Sequence, residues 1–279
     1  IGALTALSSL SMEVNFMSGS IPSGLCNALD MAEVTLQLNG LTGSIPTCIG
    51  QLIKLQHFYI DSNEFTGEIP SNFANLVQLV SININTNRLS GQLPVALGEM
   101  NKLLGLYVYN NILSGPIPGG IGNATDMTSF VANNNLLSGS LPSGLSLLVK
   151  LNLLQLNENR LSGSLPVELS ELTSLETLLL FNNFLSGGLT DAFSVSQTSL
   201  YVIDISENNF GGQIPGSLFN LPNLTTLAAV KNCFSGTFPA QVCDAVLLEN
   251  LDFDGLSSGS ACVDYQMEFL TEVTGSGKV

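Results

Sequence analysis

An asparagine returns every 24 residues along this chain, at Asn15, Asn39, Asn63, Asn87, Asn111, Asn135, Asn159, Asn183, Asn208 and Asn232, with a single step of 25 between Asn183 and Asn208. Each copy opens the segment Asn-x-apolar-(Ser, Thr or Gly)-Gly-x-apolar, most often closed by Pro. A unit this short cannot bury its own apolar face, so neighbouring units must stack and share one long core. With the asparagine set at position 9, positions 1, 4 and 6 are apolar, as in Leu55, Phe58, Ile60 and in Leu151, Leu154, Leu156; Ala132 and Ala229 are the weak members at position 6. Positions 4 and 6 alternate with polar neighbours, the period-2 pattern of a strand with one buried face. Each such side chain stabilises the stack by roughly 1.5–3 kcal/mol once a neighbour covers it. Glycine at position 13 allows a turn with positive φ. Proline at position 16 ends the extended stretch.

The asparagine column is expected to turn inward and bond loop backbone as a ladder, each member worth about 1–3 kcal/mol. Leu256 holds the eleventh slot, and its lack of an amide is read as the mark of a last unit with no further backbone to bond. The extra residue of the 25-residue step is assigned to the Ser-rich loop from Ser194 to Ser199, where added length is cheap. Residues 1–256 therefore form one solenoid of ten to eleven repeats, and residues 257–279 a C-terminal cap and tail. Ile1-Gly2 stands where Ile49-Gly50 and Ile121-Gly122 stand in later units, so the chain reads as starting inside a repeat, without its N-terminal cap.

Charge narrows the partners. Hydrophobic residues make up 45% and charged ones 10%, which excludes a disordered chain. Seven basic side chains and a net charge of −15 make nucleic acid an unsuitable ligand. No uncharged apolar run approaches the roughly 20 residues of a membrane span. The Leu-rich stretch from Leu145 to Leu156 is broken by Lys150, Asn152 and Gln155.

The runs NGLTGSIP (39–46), NRLSGQLP (87–94) and NILSGPIP (111–118) resemble the plant-type leucine-rich-repeat class, which includes polygalacturonase-inhibiting proteins and the ectodomains of receptor-like kinases. The closing run FPAQVCDAVLLENLDF (238–253) is more similar to secreted repeat proteins of diatoms. The resemblance covers residues 1–256. It implies an α/β repeat solenoid: a curved right-handed superhelix with a concave parallel sheet, a second short sheet, and 3-10 or irregular turns on the convex side. It also implies an extracellular or cell-surface location and ligand binding on the concave face.

Five cysteines are present. Cys26 and Cys48 lie in neighbouring units, and Cys243 and Cys262 bracket the last one, so both pairs are candidate bridges; Cys233 competes for Cys262, because spacing never fixes connectivity. None has zinc spacing. Asn123-Ala124-Thr125 and Asn223-Leu224-Thr225 are candidate glycosylation sequons.

In a sheet of this class positions 2, 3, 5, 7 and 8 face the concave solvent. Position 5 then presents Tyr59, Asn83, Tyr107, Gln155 and Asp204, and position 7 presents Asp61, Asn85, Tyr109, Asn133, Asn157 and Phe181. His57 and Tyr201 complete the candidate ligand-binding set. Exposed tyrosines framed by amides and carboxylates suit recognition, since each joins a large apolar area to a hydrogen-bonding tip. The site is centred on Tyr59, Tyr107 and Tyr109; the plainer alternative is that strands simply favour aromatics. In this register ten acids, among them Glu13, Asp61, Glu207, Asp252 and Asp254, share the face with the single base Lys231, which favours a basic ligand.

Catalysis finds little support. His57 is the only histidine, without a partner nucleophile placed by the sequence, and the glycines are repeat punctuation rather than a phosphate loop. Asp252 and Asp254 read as solvated charges rather than a metal or glycosidase pair. No cofactor is expected. The preferred function is a non-catalytic extracellular module binding a peptide, a protein or a cell-wall polysaccharide. An adhesive wall or matrix protein, and the ectodomain of a receptor-like protein or kinase, are the alternatives.

Overall fold

A computed structural model describes residues 2–189, 192–254 and 256. Eleven three-residue strands, from Ser9–Ser11 through His57–Tyr59, Gly105–Tyr107 and Thr177–Leu179 to Asn250–Asp252, form one parallel sheet in chain order. Each pairs with the next at an offset of one repeat, His57 facing Ser81 and Ser81 facing Gly105. The offset grows to 25 where Thr177 faces Val202, so the long repeat is absorbed without a break in the ladder. That is what period-2 patterning requires, because a one-residue slip would turn Ile203 and Ile205 out of the core. Both stay fully buried.

The remaining sides of each coil follow from its punctuation. Positions 10–14 form a second parallel sheet in two blocks, Ser18–Gly19 to Arg88–Ser90 and Ser114–Pro116 to Cys233–Phe234. Backbone bonds run across the gap, from Ile112 N–H to Leu89 O at 2.9 Å and from Ser114 N–H to Gly91 O at 2.7 Å. The glycine at position 13 lies at positive φ in every copy, +76° at Gly115 and +91° at Gly236, as the sequence expects. Proline at position 16 then caps a five-residue 3-10 helix such as Thr47–Gln51 or Gly119–Asn123. Helical turns of this kind occupy the convex side, and no α-helix occurs among the described residues. The repeat of Asn183 carries Thr190 in place of the proline. Between Phe184–Gly187 and Val202–Asp204 no 3-10 helix is found among the described residues. Its loop is fastened instead by the buried Gln197, which donates to Leu169 O at 3.1 Å and accepts from Ser194 N–H at 3.0 Å.

The asparagine column lies between coils. Asn159 Nδ2 shares its two protons among the carbonyls of Ala132, Leu156 and Asn157 at 3.0, 3.1 and 3.2 Å, while Oδ1 accepts Leu137 N–H at 2.9 Å. Ala132 and Leu137 belong to the preceding coil, and every later member repeats the pattern backwards along the chain. The reading of Leu256 is thereby corrected. A terminal asparagine would still have a preceding backbone to bond, so the change to leucine there is not explained by the missing next unit. The member at the other end has the shorter list: among the described residues the Asn15 side chain bonds only Met12 O and Glu13 O of its own coil, at 3.2 and 2.9 Å.

Cys26 and Cys48 form a disulfide between adjacent coils. Cys243 is also disulfide-bonded, Cys262 lies outside the described residues, and Cys233 is an exposed free thiol. Closing a loop of 22 residues should hold the N-terminal coils by about 3 kcal/mol. Replacing both cysteines by serine is expected to speed amide exchange in Glu33–Thr35 and its neighbours while leaving Val202–Asp204 unchanged. Equal protection in both variants would show that the bridge is energetically idle.

Candidate functional site

The concave sheet sets the candidate residues in rows. Register places Tyr59, Asn83, Tyr107, Val131, Gln155, Leu179 and Asp204 side by side on successive strands. Strand spacing of about 4.8 Å then separates Tyr59 from Tyr107 by roughly 10 Å. Both tyrosines are half-buried and lean along their own strand onto position 3. Tyr59 hydroxyl lies 3.1 Å from His57 Nδ1, with ring centroids 5.8 Å apart. On the strand of Tyr107 position 3 is Gly105, and a Cβ there would stand 2.6 Å from the tyrosine Cε2. The missing side chain is therefore the seat of the ring.

Position 7 is less open than the sequence expects. Tyr109, Asn133 and Phe181 are half-buried, but Asn85 and Asn157 are only 4% and 5% exposed. Position 8, next in the chain, takes left-handed φ in all ten copies, from +50° at Thr86 to +57° at Leu38, which turns the chain sharply after the strand. Asn85 is held there by the side chain of Asn83 and accepts from Thr86 Oγ1 at 2.7 Å. The sequence signal was weak, because Asn110, Asn134 and Asn182 suit that conformation whereas Val14 and Thr86 do not.

The carboxylates divide by environment. Glu13 accepts from Ser11 Oγ at 2.6 Å and Thr35 Oγ1 at 3.2 Å, and the Ser11 bond, then its own backbone, with a smaller part from Thr35, hold its carboxyl below the usual range. Burial beside the strand end pushes the Asp61 carboxyl up, against weaker lowering by its own backbone and by Ser62. A raised folded-state value means that the native state binds the proton more tightly, so stability falls as pH rises from the unfolded value through the raised one. Asp61→Asn should then melt higher than wild type at neutral pH and equally in acid. A constant difference across that window would show that Asp61 does not carry the effect. Asp204 Oδ1 accepts Ser206 N–H at 3.0 Å, and Tyr201 stands 40% exposed at the rim.

The one base of the face is neutralised locally. Lys231 Nζ meets Glu207 at 2.6 Å, and its backbone N–H donates to Asp254 Oδ2 at 2.8 Å. Glu64–Arg88, Asp30–Lys54 and Asp126–Lys150 form ion pairs with the same spacing of one repeat. Sequence reading missed these, although charges of opposite sign 24 residues apart are visible once the period is known. All are exposed and screened by water, so each contributes little to stability. Among the described residues no group of three or more His, Cys, Asp or Glu could hold a metal ion, and no helix is long and apolar enough to cross a membrane.

These coils, their register and the asparagine ladder define a leucine-rich-repeat solenoid. The Leucine Rich Repeat family model matches residues 54–76 and 199–221. A plant peptide hormone receptor, RGFR1 in complex with RGF2, superposes with TM-score 0.85 at 36% identity, covering 90% of this chain and 41% of that one. A TDR receptor gives TM-score 0.84 at 30% identity, covering 91% and 44%. The Arabidopsis receptor kinase HAESA, in complex with the peptide hormone IDA and the co-receptor SERK1, gives TM-score 0.77 at 26% identity, covering 92% and 47%. A search of curated proteins returns no match. The chain carries leucine-rich repeats and is similar in structure to the ectodomains of plant receptor kinases, and it spans less than half the length of the receptor chains it matches.

Proposed function

We propose that the chain is a non-catalytic, extracellular recognition module that binds a peptide or a segment of a protein along its concave sheet. The observation that carries this reading is the set of half-buried rings, Tyr59, Tyr107, Tyr109 and Phe181, laid among amides on and just after strands of the concave sheet. Parallel rows at strand spacing suit an extended ligand running across the strands, with side chains that meet successive coils. The likeness to receptor ectodomains solved with peptide hormones supports the same reading. Pairing of Lys231 leaves Asp61, Asp204 and Asp252 without a basic neighbour among the described ion pairs, which favours a ligand with net positive charge. Parallel arrays of basic peptides, acidic peptides and cell-wall glycans test this. Selective capture of basic peptides that weakens with added salt is expected. Capture of glycans alone would replace the peptide reading by a wall-binding one, and silence on every array would sink recognition and favour the adhesive role.

A further inference from the structure

The convex side carries a place suited to a covalent group. Asn123 closes the 3-10 helix Gly119–Asn123 and is exposed, as is Thr125 two residues on. Between them Ala124 is fully buried, which anchors the tripeptide and turns its two polar side chains outward. The Asn123 amide makes no hydrogen bond to any described residue. The start of the same helix is open, since a Cβ at Gly119 would meet nothing within 4 Å and one at Gly120 only Val95 O at 3.7 Å, whereas Gly122 beside Asn123 packs against Gly144 of the next coil. The next coil presents Leu147 at the same repeat position, 53% exposed, an apolar side chain that a sugar ring can cover.

The second Asn-x-Thr tripeptide is built differently. Asn223 Nδ2 donates to Thr198 O at 2.6 Å, and Thr225 Oγ1 to Tyr201 O at 3.0 Å. Both side chains that define the sequon thus bind the preceding coil. They lie just before the strand Thr226–Ala228, beside Tyr201 on the rim of the concave sheet. A glycan there would crowd the face proposed for the ligand.

We infer that Asn123 is an N-glycosylation site, bearing an oligosaccharide on the convex surface, and that Asn223 remains unmodified. The step joins the anomeric carbon of the sugar to Asn123 Nδ2. The donor is a lipid-diphosphate-linked oligosaccharide; its bond to the sugar breaks, the lipid diphosphate leaves, and the amide gives up one proton. Occupancy in the native cell rests on the extracellular placement proposed above, whereas competence of the site does not.

The test therefore supplies the secretory route. The chain is expressed behind a cleaved secretion leader in a eukaryotic host, its intact mass is recorded, and it is deglycosylated with a peptide N-glycosidase in 18O-water. The expected result is one glycan, an 18O-labelled aspartate at residue 123, and loss of the glycan in both Asn123→Gln and Thr125→Ala. Asn223→Gln should leave the mass of the glycan unchanged. Secreted protein with a cooperative melt but no sugar at Asn123 would overturn the inference, as would a glycan on Asn223. The mass label reads the wild-type chain, so a misfolded variant leaves the answer intact, and no ligand enters the measurement.

Discussion

Asn159→Ala is expected to destabilise the solenoid by about 2–3 kcal/mol, because it leaves one buried backbone N–H between two coils without a partner and takes one of two bonds from each of three carbonyls. The donor is Leu137 N–H, and the carbonyls of Ala132, Leu156 and Asn157 keep Asn135 Nδ2, Asn183 Nδ2 and Asn134 N–H. At 7% exposed the residue is largely shielded from solvent, so the broken bonds are not readily replaced by water. Asn15 offers the internal control. It is exposed and, among the described residues, its side chain bonds only two carbonyls of its own coil, so Asn15→Ala should cost about 1 kcal/mol or less. Stacked repeats need not unfold in one step, so denaturant curves should be joined to amide exchange, in which Leu137 N–H becomes fast in the Asn159 variant. Equal losses at the two positions would mean that burial between coils is not what gives the ladder its strength.

Removing both rings from one coil, Tyr107→Ala with Tyr109→Ala, should weaken capture of the best peptide by about 2–4 kcal/mol, roughly 30- to 1,000-fold in Kd. Both side chains are half-buried at the centre of the sheet, where truncation exposes the floor of the face rather than its rim. The fold should tolerate the change, since Leu106 and Val108, which point inward from the same coil, keep the core closed. Gly105→Ala gives an independent reading. Its new Cβ occupies the seat of the Tyr107 ring, so affinity should fall although no ligand-facing atom has been deleted. Full affinity in both variants would move the contact surface away from this strand, toward Phe181 and Tyr201 or off the concave sheet.

The repeat made much of the fold legible before any coordinate. Positions 1, 4 and 6 are buried in coil after coil, glycine at position 13 takes positive φ, and proline at position 16 starts the turn on the convex side. Each of these is decided within one unit or by one identical neighbour, and so each is visible in a single stretch of sequence. The contents of the concave rows were legible for the same reason, because side-chain direction alternates along a strand. How open each side chain is was not. Asn85 and Asn157 sink at position 7 while Tyr109 and Phe181 in the same column stay accessible. Side-chain size and the neighbours across the sheet decide that difference, and no column records them.

The amino-acid sequence by itself determined the period, the parallel in-register stacking and the inward asparagines, since a 24-residue unit with three apolar positions has no other way to bury them. Only the tertiary structure decided the direction of the ladder bonds, the lean of Tyr59 toward His57 and of Tyr107 over Gly105, and the contrast between the open Asn123 and the engaged Asn223. Those outcomes depend on contacts between atoms a whole coil apart, or on the space a missing side chain leaves, and both come into being when the coils close on one another.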